Sequence, residues 1–229
     1  MHAPNQLVRL RFLARLKADI KLYESDVVAC FSKPDAESLQ VLLQNIVYRQ
    51  ETLKDNYYGE GALQSEIEYA LNSMQDYVAG LLVTAERNVG DGRYELLITV
   101  GEAPSVLLEL KRIRPNALNY EPLLPDASEY LPRSAKWYIN QLDMARNLLG
   151  RATRDELRRL VIVLPDFYKG ATSVADVEKG AESQCGEYLE RSGPGTVGFT
   201  VVQVGWTLLV KAVSAAGSQM RKPPWADKH

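Results

Sequence analysis

Apolar positions along the chain follow two periods, one helical and one strand-like. Leu10, Leu13, Leu16, Ile20, Tyr23 and Val27 recur at steps of three and four, which predicts a helix over 5–31. The segment "FSKPDAESL" breaks that pattern, and Ser32 or Asp35 can cap a second helix through "AESLQVLLQNIVYRQETL". A third stripe, Leu63, Ile67, Leu71 and Met74, predicts a helix through "ALQSEIEYALNSM", with Glu66 at its margin and Glu68 further around. "AGLLVTAERNV" either finishes that helix or forms a short strand.

The period then changes. In "GDGRYELLITVGEAPSVLLELKR" the glycines are breakers, "RYELLITV" and "SVLLELKRI" are rich in strand formers, and "GEAPS" is a turn. A long loop with four prolines follows in "RPNALNYEPLLPDASEYLP". "SAKWYINQLDMARNLLG" reads as a helix capped by Ser134 and ended by Gly150, and "TRDELRRL" continues helically or turns. "RLVIVLPDF" predicts a short buried strand, "SVADVEKGAESQCGEYLERSG" a helix, and "GTVGFTVVQVGWTLLVKAVSA" one bent strand or two with Gly205 at the bend. Helices, hairpin, helix, strand, helix and strands in that order predict an α/β fold: a mixed central sheet flanked by helices, behind an N-terminal helical lead-in. The expected division is a lead-in over 1–56 packed on the core, a domain over 57–216 and a polar tail over 217–229.

Composition narrows the chemistry. The chain has 229 residues, 46% of them hydrophobic and 24% charged, with a formal net charge of −2. These are globular values, and any polyanion site must be a local patch. No apolar run approaches the roughly 18 residues of a membrane span, so no membrane partner is expected. The basic N-terminus reads as an amphipathic helix rather than a secretory signal. The two cysteines, Cys30 and Cys185, lie far apart and read as reduced, intracellular thiols, without separating cytoplasm from nucleus. The two histidines, His2 and His229, sit at the extreme ends, which argues against a serine or cysteine triad and against a multi-histidine metal site. Neither a phosphate loop nor a dinucleotide fingerprint is present. A metal site would have to be built from oxygen ligands, which suits Mg2+ or Mn2+.

Each hairpin strand carries a carboxylate in its middle. Side chains alternate, so Leu107, Glu109 and Lys111 share one face of the second strand, opposite Leu108, Leu110 and Arg112. Arg93, Glu95 and Leu97 likewise share a face of the first, and Glu95 can lie close to Glu109 across the turn. Desolvated and unpaired, such charges cost several kcal/mol each, which a divalent cation removes. Glu95 and Glu109 then read as metal ligands, Lys111 as the cation that orients the attacking water or stabilises the transition state, and Glu66 as a third acid. The plainer reading is an edge hairpin in which Glu95 and Lys111 pair across the strands.

On these residues the chain resembles the PD-(D/E)XK nuclease superfamily, in particular the variant found behind AAA-ATPase modules and the nuclease-like domains of crinkler-type effectors. "GDGRYELLI" looks like that family's acid-bearing strand, "VLLELK" like its E-x-K strand, and "ALQSEIEYAL" sits where its helix glutamate falls. "WYINQLDMARNLL" is similar to the crossover helix, with Gln141 at its glutamine, and the resemblance runs from about Leu39 to Leu164. It implies a restriction-endonuclease-like fold and Mg2+- or Mn2+-dependent hydrolysis of phosphodiester bonds in nucleic acid, DNA before RNA. It assigns Glu66, Glu95, Glu109 and Lys111 to catalysis, the three glutamates also to the metal. Gln141, Arg93 and Arg112 would be substrate contacts, "KRIR" following directly on the E-x-K strand. The family usually has aspartate where this chain has Glu95. The alternative is a nuclease fold without catalysis that binds nucleic acid or protein as an effector module, with a protein partner or a homodimer in view. A third possibility is a multi-helix interaction protein whose two hairpin glutamates lie far apart or face solvent.

Overall fold

The structure is a computed structural model that describes residues 24–50, 60–89, 92–123, 145–163, 168, 170–192 and 194–214. At 48–50, 60–62, 86–89 and 92–95 the description covers the backbone alone.

The break between the first two described helices falls where the sequence offers a cap. Helix α1 (Glu24–Ser32) ends before Pro34. Asp35 then opens α2 (Ala36–Gln50), its Oδ1 accepting from the Glu37 and Ser38 amides at 3.0 and 2.9 Å. Helix α3 (Glu60–Asn72) turns at Met74 and Val78 into a meander of three strands, β1 (Leu81–Val89), β2 (Gly92–Val100) and β3 (Ser105–Ile113). The segment whose sequence allowed helix or strand is thus a strand. Its apolar residues alternate, Leu81 and Val83 inward and Leu82 outward, as an edge strand requires.

Beyond β3 the chain leaves the main sheet. Strand β4 (Leu118–Asn119) pairs antiparallel with β5 (Val161–Ile162) in a separate two-stranded sheet. "RLVIVLPDF" therefore contributes two strand residues rather than a buried strand of the core. Among its described residues Leu160 and Ile162 point inward, while Val161 and Val163 are exposed. Between β4 and β5 lie the helix α4 (145–151) and α5 (Arg154–Arg159), which opens on a capping box of Thr153 and Glu156. A second capping box, Ser173 with Asp176, opens α6 (Val174–Arg191). The chain then re-enters the sheet as β6 (Thr196–Val204) and turns back as β7 (Thr207–Val213) through the two-residue loop Gly205–Trp206, where Gly205 has φ 59°.

The five-stranded order is β1-β2-β3-β6-β7, with β3 and β6 parallel and every other pair antiparallel. The mixed sheet is flanked by helices on both faces. On one face α1, α2 and α3 bury Val27, Phe31, Leu43, Ile46, Leu63 and Ile67 against Leu96, Ile98, Leu108, Leu110, Phe199 and Val201. On the other, α6 sets Cys185, Tyr188 and Leu189 against Leu107, and Ile113, Val202 and Val204 join the cluster under α4 and α5. β3 is therefore a central strand with both faces covered, which explains its near-continuous apolar run. Gly198 lets α6 approach: a Cβ there would stand 2.5 Å from Leu189 Cδ1 and 2.8 Å from Cys185 Sγ. No helix of the described residues is long and apolar enough to cross a membrane.

Candidate active site on the third strand

The alternation along β3 sorts its charges onto two faces. Odd-numbered residues, Leu107 through Ile113, turn toward α6, and even-numbered ones, Val106 through Leu110, turn toward α3. Glu109 and Lys111 accordingly stand side by side beneath α6. Lys111 Nζ donates to Glu109 Oε1 at 2.8 Å, and the side chains are 15% and 2% exposed, so the carboxylate is buried and the ammonium reaches the margin. A charge-assisted bond of this length fixes the direction of the carboxylate. Glu109 is thus interior and on a central strand, not an edge strand, while the Glu95–Lys111 pairing of the edge-hairpin reading involves a side chain outside the described residues.

Glu66 belongs to the other face. It lies on α3 between Leu63 and Ile67, both packed against Leu108 and Leu110, and it feels the charge of Arg112, two residues beyond Leu110 on that face. Burial pushes the Glu66 carboxyl above its ordinary value, and the Arg112 guanidinium pulls it back. Burial lowers the Arg112 guanidinium, and Glu66 opposes that. The sheet thus separates Glu66–Arg112 from Glu109–Lys111. Of the residues singled out from sequence, the structure brings together Glu109 with Lys111, and Glu66 with Arg112. The side chains of Glu95 and Arg93 and the whole of Gln141 lie outside the described residues. The paired register of β2 with β3 runs from Ile98–Val106 to Leu96–Leu108, and position 95 is the next residue of β2.

Other groups complete the α6 face. In the parallel register Glu109 is aligned with Thr200 of β6, and Thr200 in turn with Lys211 of β7. Thr200 is fully buried and its Oγ1 has no hydrogen-bond partner among the described residues. Two α6 carboxylates close over this layer, and each already has a cation. Arg158 Nε donates to Glu178 Oε2 at 2.6 Å, and Lys211 Nζ to Glu182 Oε1 at 2.7 Å. Cys185 also lies near: burial, with the Glu109 charge adding, pushes its thiol up to about 12, so it carries no nucleophilic thiolate at neutral pH. Burial does the same to Cys30, also to about 12, with Asp35 adding.

Thr200 was not singled out from the sequence. Its signal was a lone hydroxyl in the apolar run "FTVVQV", which alternation alone cannot assign to a partner. Among the described residues no group of three or more His, Cys, Asp or Glu could hold a metal ion. The oxygen donors on the α6 face, the Glu109 carboxylate and the Thr200 hydroxyl, are nonetheless of the hard type that Mg2+ and Mn2+ take. The donor chemistry fits, with a second carboxylate needed at position 95. No protein-family model, no curated protein and no solved structure matches the chain.

Proposed function

We propose that the chain is a metal-dependent phosphodiesterase of the PD-(D/E)XK type, with Glu109, Lys111 and Glu95 at its centre and nucleic acid, DNA before RNA, as its substrate. The observation that carries the reading is the buried Glu109–Lys111 pair at 2.8 Å on a central strand. An E-x-K strand that follows an acid-bearing strand in a hairpin, and that leads through helices into the parallel β6, supports the same assignment.

In this reading Glu109 and Glu95 hold Mg2+ or Mn2+ from adjacent strands. The ion supplies a nucleophile from water at neutral pH and neutralises charge on the phosphoryl group. Lys111 keeps the interior Glu109 aimed, and its ammonium, at the margin of the site, faces the charge that develops on the phosphate. Arg114 follows at the carboxyl end of β3, where α/β sheets place ligand groups, and supplies a cation for a neighbouring phosphate; Arg112 lies on the other face, near Glu66. The test is cleavage of DNA and RNA in Mg2+ or Mn2+ by the wild type and by Glu109→Ala and Lys111→Ala. Loss of cleavage in both variants, with folding retained, supports the assignment, and cleavage that survives both overturns it.

A second reading has its own observation. Glu66 stands on a helix that packs on the face of the sheet opposite Glu109, so the third acid of the family pattern lies apart from the Glu109–Lys111 pair. That favours a nuclease fold that binds nucleic acid or protein without cleaving. Calorimetry separates the two: no heat with Mg2+ alongside intact nucleic-acid or protein binding supports the non-catalytic reading.

A further inference from the structure

Thr200 combines two properties that seldom coincide. It is fully buried, and its hydroxyl has no hydrogen-bond partner among the described residues. A buried hydroxyl left in that state destabilises the fold, and a valine of the same shape would avoid the penalty. The chain instead places the hydroxyl at one position of the sheet, aligned in parallel register with Glu109 and on the same face beneath α6. Neighbouring strands run about 4.8 Å apart. An oxygen from each strand can therefore reach one cation at about 2.1 Å.

The flanking groups limit what can occupy that place. On the β7 side Lys211 is drawn to Glu182, and on the β3 side Lys111 is drawn to Glu109 Oε1. The α6 acids Glu178 and Glu182 are held by Arg158 and Lys211. What faces the middle of the layer is one carboxylate and one hydroxyl, both hard oxygen donors.

We propose that Thr200 is a further ligand of the divalent cation held by Glu109, its hydroxyl oxygen completing the shell from the β6 side. This rests on the metal-dependent reading of the Glu109–Lys111 site and adds a residue from the far side of the β3–α6–β6 crossover. Hydroxyl ligands of this kind are ones Mg2+ accepts.

The experiment uses the full chain and Mn2+ alone as probe, with calorimetric binding and thermal melts of the wild type, Thr200→Val and Thr200→Ser. The expected result is Mn2+ binding by the wild type, binding weakened about tenfold or more in Thr200→Val, and binding near wild type in Thr200→Ser. The metal-free melting temperature of Thr200→Val should equal or exceed that of the wild type, because the valine removes an unsatisfied buried hydroxyl. Unchanged Mn2+ affinity in Thr200→Val overturns the assignment of Thr200 and leaves the Glu109 site standing. Equal weakening in Thr200→Ser also overturns it, since the hydroxyl is then not the cause. A wild type that binds no Mn2+ overturns both this assignment and the metal-dependent reading beneath it.

Discussion

Lys111 Nζ and Glu109 Oε1 lie 2.8 Å apart on the face of β3 that α6 covers, with the carboxylate almost wholly removed from solvent. Removing one partner leaves an uncompensated buried charge, whereas removing both leaves none. Lys111→Met should therefore destabilise the fold by about 3–5 kcal/mol. The double variant Glu109→Met/Lys111→Met should recover most of that loss. Urea denaturation of the two singles and the double measures the coupling directly. Additive losses in the double variant would show that the pair does not act as a unit.

The closeness of α6 to the same strand pair gives a second expectation. Gly198 faces Cys185 and Leu189 so closely that an added Cβ would stand 2.5 Å from the Leu189 side chain. Gly198→Ala must push the helix outward or force Leu189 off its rotamer. Overpacking of this kind costs about 1–3 kcal/mol. The companion Gly198→Ala/Leu189→Ala relieves the clash, and its denaturation midpoint shows how much of the loss was steric. A Gly198→Ala variant as stable as the wild type would mean that α6 is not packed this tightly.

How much of this was legible beforehand differs from residue to residue. That Glu109 and Lys111 share a face, opposite Arg112, needs only the two-residue period of a strand, a local property of "VLLELKR". Which helix covers each face is not local. Glu66 is a plausible third acid on its helix, but α3 packs on the even-numbered face of β3, the face of Arg112 and not of Glu109. Thr200 lies some ninety residues from Glu109, and its alignment exists only because β6 enters parallel to β3. "RLVIVLPDF" carries the composition of a core strand, yet it pairs with β4 outside the main sheet, because β6 and not this run takes the place beside β3.

The start of α6 sets a pH dependence whose sign can be worked out. Asp176 Oδ2 accepts from the Thr172 and Ser173 amides at 3.1 and 3.0 Å and from both hydroxyls at 2.9 Å. The Ser173 and Thr172 side-chain bonds, then the Thr172 amide, hold the Asp176 carboxyl below its ordinary value. A carboxyl depressed in the folded state binds fewer protons there than in the unfolded chain. Its contribution is therefore present above the unfolded value, about 3.9, and is lost as pH falls through the folded one. Asp176→Asn should lower stability at neutral pH by roughly 1 kcal/mol, and that gap should close in acid. Melting temperatures of the two proteins from pH 7 to pH 2 test this, and a gap that stays constant would assign the effect to something other than ionisation.

The outer edge of β7 is closed by side chains rather than by another strand. Gln44 of α2 accepts from the Leu208 amide and donates to the Trp206 carbonyl, each at 2.8 Å, and Gln40 accepts from the Val210 amide at 3.4 Å. Arg154 donates to the Val210 carbonyl. These are the backbone groups that a further antiparallel strand would engage, so Gln44 does for the edge what a neighbouring strand does elsewhere. Gln44→Leu should expose that pairing site and leave an amide and a carbonyl unsatisfied, at a cost of about 1–3 kcal/mol for each group left buried. Combined with Gln40→Leu, the change should produce concentration-dependent association through β7. Sedimentation velocity over a range of protein concentrations, with urea denaturation of the same variants, checks both consequences. A double variant that is destabilised but sediments as the wild type does would show that the glutamines serve α2 docking alone, because an opened strand edge should recruit a partner strand.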